Sequence, residues 1–398
     1  MQLCFFSDRK SKNFLPLTLT RPVFDLRLGI LTIQEKWEKY LNTQFTAGIY
    51  EEYLSSVFKS HQIDNEQICI WVNSRYLPTN DLVNTIKSLA NGECLVQNDE
   101  IIAANIDGNR SISMYNNKDF RVDELTKVEY SLETKSISFF WDLLSLNGEG
   151  ISSDLQFFNY NPIGDSRLNK DSIFRNAEKI FISDSAKIEP GCIFIADNGP
   201  IFIGDNSTIE AGSIVKGPVA ICKGATIKMR ARIYDSTTIG PFSKVGGEVS
   251  NSIFHSYSNK AHDGFVGNSL IGQWCNFGAD TNTSNLKNNY AEVKVFDWTS
   301  KVEYEKGFQF FGTIFGDHSK TAINTVLNTG TTCGVSSNIF SLGFPPKYIP
   351  SFLWMGQEKT LPHDFEKAIS AMRAMMKRRD VELSDNYIEM MKFIAESS

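Results

Sequence analysis

Five histidines occur in the chain, and one of them, His262, sits in the run Lys260-Ala261-His262-Asp263-Gly264-Phe265-Val266-Gly267-Asn268. It is followed by Ile271-Gly272, then by Asn276-Phe277-Gly278-Ala279-Asp280-Thr281, and then by Asn285. A neutral imidazole titrates close to physiological pH and can take a proton from an attacking nucleophile, so His262 reads as a general base. Lys228, Arg230, Arg232 and Lys260 offer charge-assisted hydrogen bonds to phosphate oxygens. His255 and His318 could join His262 in a zinc triad, although their spacing fits no defined metal motif. The seven cysteines include no Cys-x-x-Cys pair and read as reduced thiols.

The elements that must position these residues announce themselves by a beat of six. Stepping by six from Ile203 lands on Ile209, Val215, Ile221, Ile227, Ile233, Ile239 and Val245. Four residues after each stands a small or β-branched residue: Ser207, Ser213, Val219, Ala225, Ala231, Thr237, Ser243 and Val249. This period suits neither a helix nor a plain alternating strand. It predicts a hexapeptide β-helix of three short parallel strands per coil, with aliphatic residues stacked inside and small ones at the corners. The beat begins at Ile182 and resumes at Phe315, Thr321, Leu327, Cys333 and Ile339, so the solenoid is expected over about residues 180–345. Two interruptions are expected, Ser250 to Asn268 and an insertion from about Ser284 to Gly312, and insertions in a solenoid often map to its binding face.

Upstream, a strand-like Cys69 to Asn73 precedes a helix-like Asp81 to Leu89, an alternation that predicts an α/β layer fold. Downstream, Phe365, Ile369, Met372 and Met376 follow helical spacing, and a second stretch runs from Asn386 to Ala395. The expected organisation is an α/β domain over 1–175, the β-helix over 176–345 and a helical tail over 346–398. The net charge is −6 over 398 residues, which argues against binding driven by nucleic-acid phosphates. The N-terminus has no basic segment leading into a long apolar core, and no uncharged apolar stretch is long enough to span a bilayer. A cytoplasmic protein acting on small molecules, with neither nucleic acid nor membrane as partner, is expected.

The stretch from Lys260 to Asn285 resembles the acetyltransferase domain of bifunctional sugar nucleotidyltransferase/acetyltransferases, the family that makes UDP-N-acetylglucosamine from glucosamine-1-phosphate, acetyl-CoA and UTP. His262, Gly267, Ile271-Gly272, Asn276, Gly278-Ala279, Thr281 and Asn285 match the family's motifs in order and spacing, and Phe315-Gly316-Asp317-His318 resembles its next turn. The resemblance implies a Rossmann-like nucleotidyltransferase-type domain followed by a left-handed parallel β-helix, acetyl transfer with His262 as base, and a homotrimer with sites between subunits. It also implies that Asn276 and Asn285 hold the sugar, and that Ala279 and Ser341 lie along the acetyl-CoA. Backbone N–H groups around Gly278 and Ala279 would receive the oxyanion, and Lys228, Arg230 and Lys260 would meet the sugar phosphate. The chain departs from the family at Phe265, where relatives have Tyr, at Asp280, where they have Gly, and near Ser250, where they have Lys.

Phe14-Leu15-Pro16-Leu17-Thr18-Leu19-Thr20-Arg21-Pro22 resembles the segment that follows the nucleotide loop in sugar-phosphate nucleotidyltransferases. The glycine-rich loop itself is missing: no glycine precedes Gly29, and Ser7 to Lys12 fills the place. Such glycines let the backbone cradle phosphates, so basic residues, Arg9, Lys10, Lys12, Arg21 and Arg27, would have to substitute. Where relatives present a Gly-Asp pair for Mg2+, this chain reads Asn73-Ser74-Arg75, leaving Asp8, Asp25, Asp107 or Asp165 as alternative ligands. Two other readings remain open: a sugar-1-phosphate nucleotidyltransferase whose β-helix only oligomerises or regulates it, and a non-catalytic scaffold.

Overall fold

The computed structural model describes residues 1–121, 123–159, 171–305 and 307–397. Its contacts define two compact units, one of Met1–Phe14, Arg21–Leu26 and Leu31–Asp142, the other of Leu15–Thr20, Arg27–Ile30 and Leu143–Ser398.

The first unit is the expected α/β layer. Its six-stranded sheet runs Phe45–Ile49, Gln2–Phe6, Cys69–Asn73, Glu100–Ile106, Glu93–Gln97, Thr126–Glu129. The first three strands are parallel, and Glu100–Ile106 lies antiparallel to both of its neighbours. Cys69–Asn73 is buried along its whole length, as a central strand covered on both faces must be. The flanking helices start at side-chain caps. Thr32 and Glu35 form a reciprocal capping box for Ile33–Leu41, and Thr79 accepts from the Leu82 N–H to open Asn80–Ser88, one residue before the expected start.

The second unit is a parallel β-helix. In register, Ile209, Ile227 and Val245 make one interior column, Phe194, Val215, Ile233, Val249 and Val266 a second, and Ile203, Ile221, Ile239, Phe254, Ile271, Phe315, Cys333 and Ile349 a third. Nearly all of these side chains are fully buried. The small companions Ser207, Ser213, Ala225, Ala231, Thr237 and Ser243 are equally buried, which is why nothing larger fits there.

The solenoid is not broken between Ser250 and Asn268, contrary to the interruption read from the beat. Strands Ile253–Ser256, Asn259–Lys260 and Phe265–Gly267 pair in register with the coil before, and only the corners change length. The sequence beat slips because Val245 pairs with Lys260, whereas Ile227 pairs with Val245. The second insertion is real. It forms an antiparallel hairpin of Lys294–Phe296 with Glu303–Glu305, and Phe296 and Trp298 pack their rings on Tyr348 at 4.4 and 5.0 Å.

Two short N-terminal segments belong to this unit as well. Thr20 donates to Asp317 at 2.8 Å, and the Gly29 and Ile30 N–H groups donate to Asn147 and Asp154 at 2.7 and 2.8 Å. At the other end, helices Phe365–Lys377 and Asp385–Glu396 bury Ile369, Met372, Met376, Met390, Met391 and Ile394. Tyr387 meets His318 Nε2 of the solenoid at 2.9 Å. Among the described residues, no helix is long and apolar enough to cross a membrane.

Candidate functional site

His262 is exposed on the corner between strands Asn259–Lys260 and Phe265–Gly267. The corner is held from two sides. From within the coil, Lys260 donates its ammonium to the His262 carbonyl at 2.7 Å and the Asp263 carbonyl at 3.1 Å. From the next coil, the Asp280 N–H donates to the Asp263 carbonyl at 3.0 Å, and Asn282 accepts from the Phe265 N–H at 2.9 Å. Gly264 has φ of 109°, and a Cβ there would stand 2.3 Å from the Thr281 carbonyl oxygen, so the close approach of these coils requires glycine.

The preceding coil contributes Gly246-Gly247 at the same corner. A Cβ on Gly246 would lie 2.5 Å from the Ala261 carbonyl oxygen and 3.1 Å from Lys228 Cβ. The three corners are therefore stacked in the order Lys228, Gly246, Ala261, with no side chain on the middle step. The glycine pair was not singled out from the sequence, although two adjacent glycines at a solenoid corner are the signal that could have found it.

The two asparagines each bond an asparagine of the preceding coil, at different places on it. Asn276 accepts from Asn259 Nδ2 at 2.9 Å, and Asn285 donates to Asn268 at 2.8 Å. The two N–H groups considered for an oxyanion differ. That of Gly278 donates to the Thr321 hydroxyl at 3.0 Å, while that of Ala279 makes no hydrogen bond among the described residues. Ala279 is half-buried, and the Gly278 carbonyl, which shares a peptide plane with the Ala279 N–H, accepts from the Thr281 hydroxyl at 2.8 Å and the Thr281 N–H at 3.2 Å, so that N–H is oriented and unengaged among the described residues. Ser341 likewise has a hydroxyl without a hydrogen-bond partner.

The basic residues separate into different environments. Lys228 is ion-paired with Glu210, and Arg232 with Glu248 at 3.1 Å. Arg230 is exposed on the same corner as Lys228, in a left-handed conformation with φ of 60°, and forms no ion pair among the described residues. Lys260 is only 1% exposed, and burial pushes its ammonium down from 10.5 to about 8 against the opposing pull of Asp263 and Asp280. Arg21 is buried and paired with Asp25 at 3.1 Å, while buried Arg27 donates to the carbonyls of His255, at 3.1 Å, and of Ile30. The three histidines considered for zinc are not gathered. His255 is buried with its Nδ1 3.2 Å from the Gln273 amide nitrogen, and His318 is buried against Tyr387.

In the first unit, the end of strand Gln2–Phe6 carries Asp8, and Arg75 follows Cys69–Asn73. Arg75 is fully buried and donates Nε to both Asp8 oxygens at 2.9 Å and Nη2 to Glu100 at 2.7 Å. Asp8 also accepts from Asn73 at 2.9 Å and from the Lys10 N–H at 3.0 Å, while Lys10 is ion-paired with Glu100. Burial alone would raise the Asp8 carboxyl, but the Arg75 guanidinium outweighs it and holds the group below its ordinary range. The other carboxylates considered for Mg2+ do not converge. Asp25 pairs with Arg21, Asp107 caps a helix through the Arg110 N–H at 2.9 Å, and Asp165 lies outside the described residues. Among the described residues, no group of three or more His, Cys, Asp or Glu side chains could hold a metal ion. The donor set at this position does not fit Mg2+. All seven cysteines are free and buried.

Comparison with known proteins gives two kinds of similarity. Residues 3–161 match a family model described as sugar nucleotidyl transferase. The bifunctional protein GlmU of Methanococcus vannielii is 34% identical over 123 residues, covering 31% of this chain and 27% of that protein. The bifunctional sugar-1-phosphate nucleotidylyltransferase/acetyltransferase of Sulfurisphaera tokodaii is 32% identical over 100 residues, 25% of this chain and 24% of that one. The matches thus span about a quarter of the length of these curated relatives. Among solved structures, the polysialic acid O-acetyltransferase OatWY aligns at 12% identity with a TM-score of 0.25, over 46% of this chain and 82% of that one.

Proposed function

We propose that the chain is a transferase of amino-sugar nucleotide synthesis that moves the acetyl group of acetyl-CoA onto the amine of glucosamine-1-phosphate. The observation that carries this reading is the exposed His262 on a corner fixed from both sides, with the unengaged Ala279 N–H one coil further on. In the reaction, the amine nitrogen attacks the thioester carbonyl carbon while His262 takes its proton. The tetrahedral oxyanion accepts a hydrogen bond from the Ala279 N–H, and collapse breaks the carbon–sulfur bond. The CoA thiolate leaves and receives the proton from the imidazolium.

Arg230, which has no carboxylate partner among the described residues, is the cation best placed to meet the sugar phosphate, with Lys228 beside it once its pairing with Glu210 is exchanged for phosphate. Asn276 and Asn285 would address the sugar hydroxyls, and the free Ser341 hydroxyl would contact the acetyl-CoA. A homotrimer in the cytoplasm completes the reading, with the site between adjacent solenoids. The test is release of free CoA thiol from acetyl-CoA by the purified chain with glucosamine-1-phosphate. Release dependent on that acceptor supports the reading, and no release overturns it.

A second reaction, uridylyl transfer from UTP to N-acetylglucosamine-1-phosphate, is favoured by the family match over residues 3–161. Asp8 and Arg75 occupy each other at the strand ends where a nucleotide would be expected, so binding there requires that the phosphates take Arg75 from Asp8. Nucleotide-dependent pyrophosphate formation supports this second activity, and none with any nucleotide removes it.

A further inference from the structure

Lys260 occupies a place in the solenoid where its charge is costly. It pairs in register with Val245, which pairs with Ile227 and through it with Ile209, so the lysine continues an interior column of aliphatic side chains. Its residue is 1% exposed, and a Cβ on the neighbouring Gly247 would lie 3.0 Å from its Nζ. Burying an ammonium is unfavourable unless hydrogen bonds recover the loss. The recovering acceptors here are two consecutive backbone carbonyls, those of His262 and Asp263. Among the described residues, no carboxylate makes an ion pair with it.

We infer that Lys260 is a positioning residue for His262: an interior ammonium that turns the His262 and Asp263 carbonyls into the coil and so fixes the direction of the exposed imidazole. This rests on the acetyl-transfer reading for its catalytic consequence, but the geometry of the turn does not depend on it. The long stem fills the column, and the terminal charge alone does the steering. An aliphatic side chain of equal length would fill the column, leave the His262 carbonyl without its donor and leave the Asp263 carbonyl with the Asp280 N–H. The cheapest relief for the His262 carbonyl is to swing outward to water, since His262 is already at the surface. The turn would then lose its fixed form while the coils above and below kept their packing.

The experiment compares full-length wild type with Lys260→Met, the apolar variant of similar length, by three readouts. Amide hydrogen exchange is expected to show loss of protection confined to about residues 261–267, with the columns of neighbouring coils unchanged. The thermal midpoint is expected to move by less than about 4 °C, which is on the order of 1 kcal/mol for a unit of this size. Turnover of acetyl-CoA with glucosamine-1-phosphate is expected to fall in kcat by roughly 10- to 100-fold, with KM for acetyl-CoA within about twofold, as misplacement of a base requires. Unchanged exchange at the turn overturns the inference. So does loss of protection through the whole solenoid with a large fall in midpoint, which would make Lys260 an ordinary structural residue. An unchanged kcat in an active enzyme also overturns it. If wild type itself shows no turnover, the acetyl-transfer reading fails, and the exchange pattern alone decides whether Lys260 fixes the turn.

Discussion

At the scale of single residues, the arrangement separates groups that a sequence cannot tell apart. Four basic side chains near His262 look equivalent on paper, yet among the described residues one is interior, two are ion-paired and Arg230 is exposed without a carboxylate. The interior one has a measurable signature. Lys260 titrates near 8 in the folded chain against 10.5 when free, so between those values the unfolded chain binds the extra proton and stability should rise with pH. Relative to Lys260→Met, wild type is expected to gain up to about 3 kcal/mol from pH 8 to pH 10.5. Urea unfolding of both chains across that range checks it, and parallel pH profiles would show that the buried ammonium carries no such penalty.

At the scale of elements, the legible part of the fold was the part with a period. Ile203 to Val245 announced three interior columns because each coil uses equal steps, and Phe365 to Met376 announced a helix for the same reason. The reading failed between Ser250 and Asn268 because the coil shortens on the way from Val245 through Val249 to Phe254 and a lysine then stands in an aliphatic position, so the beat is thrown out of phase although the strands continue. That irregular coil is the one that carries His262. His262 was legible only through its flanking motif, and the Gly246-Gly247 step and the role of Lys260 were not legible, since both arise from contacts between coils. Similarly, nothing local in Leu15–Thr20 or Arg27–Ile30 reveals that they pack with the solenoid.

The α/β unit makes its own prediction. Arg75 is fully buried and joins Asp8 to Glu100, so Arg75→Met removes the guanidinium they share, leaves Asp8 with Asn73 and the Lys10 N–H and Glu100 with Lys10, and should destabilise this unit by about 1–3 kcal/mol. Because Asp8 lies below its ordinary 3.8 in the folded chain, its share of that stability is present above 3.8 and is lost as pH falls through the lower folded value. Chemical denaturation followed by the fluorescence of Trp37 and Trp71, both buried in this unit, reads the change. A variant as stable as wild type at pH 7 and equally sensitive below pH 4 would contradict it.

At the scale of the whole molecule, the chain joins an α/β unit to a solenoid that presents one exposed histidine on a rigid corner. A solenoid of this kind offers a long face to a neighbour, and the proposed site between subunits requires that neighbour. Light scattering at working concentration is expected to give three times the 44.8 kDa chain mass, and a monomer retaining full activity would contradict a shared site. The central claim is tested most directly by the rate of free CoA release from acetyl-CoA with glucosamine-1-phosphate, wild type against His262→Ala. The account predicts release by wild type and a loss of at least about 100-fold in the variant, the ordinary worth of a positioned general base. Equal rates in the two proteins, or none in either, would contradict it.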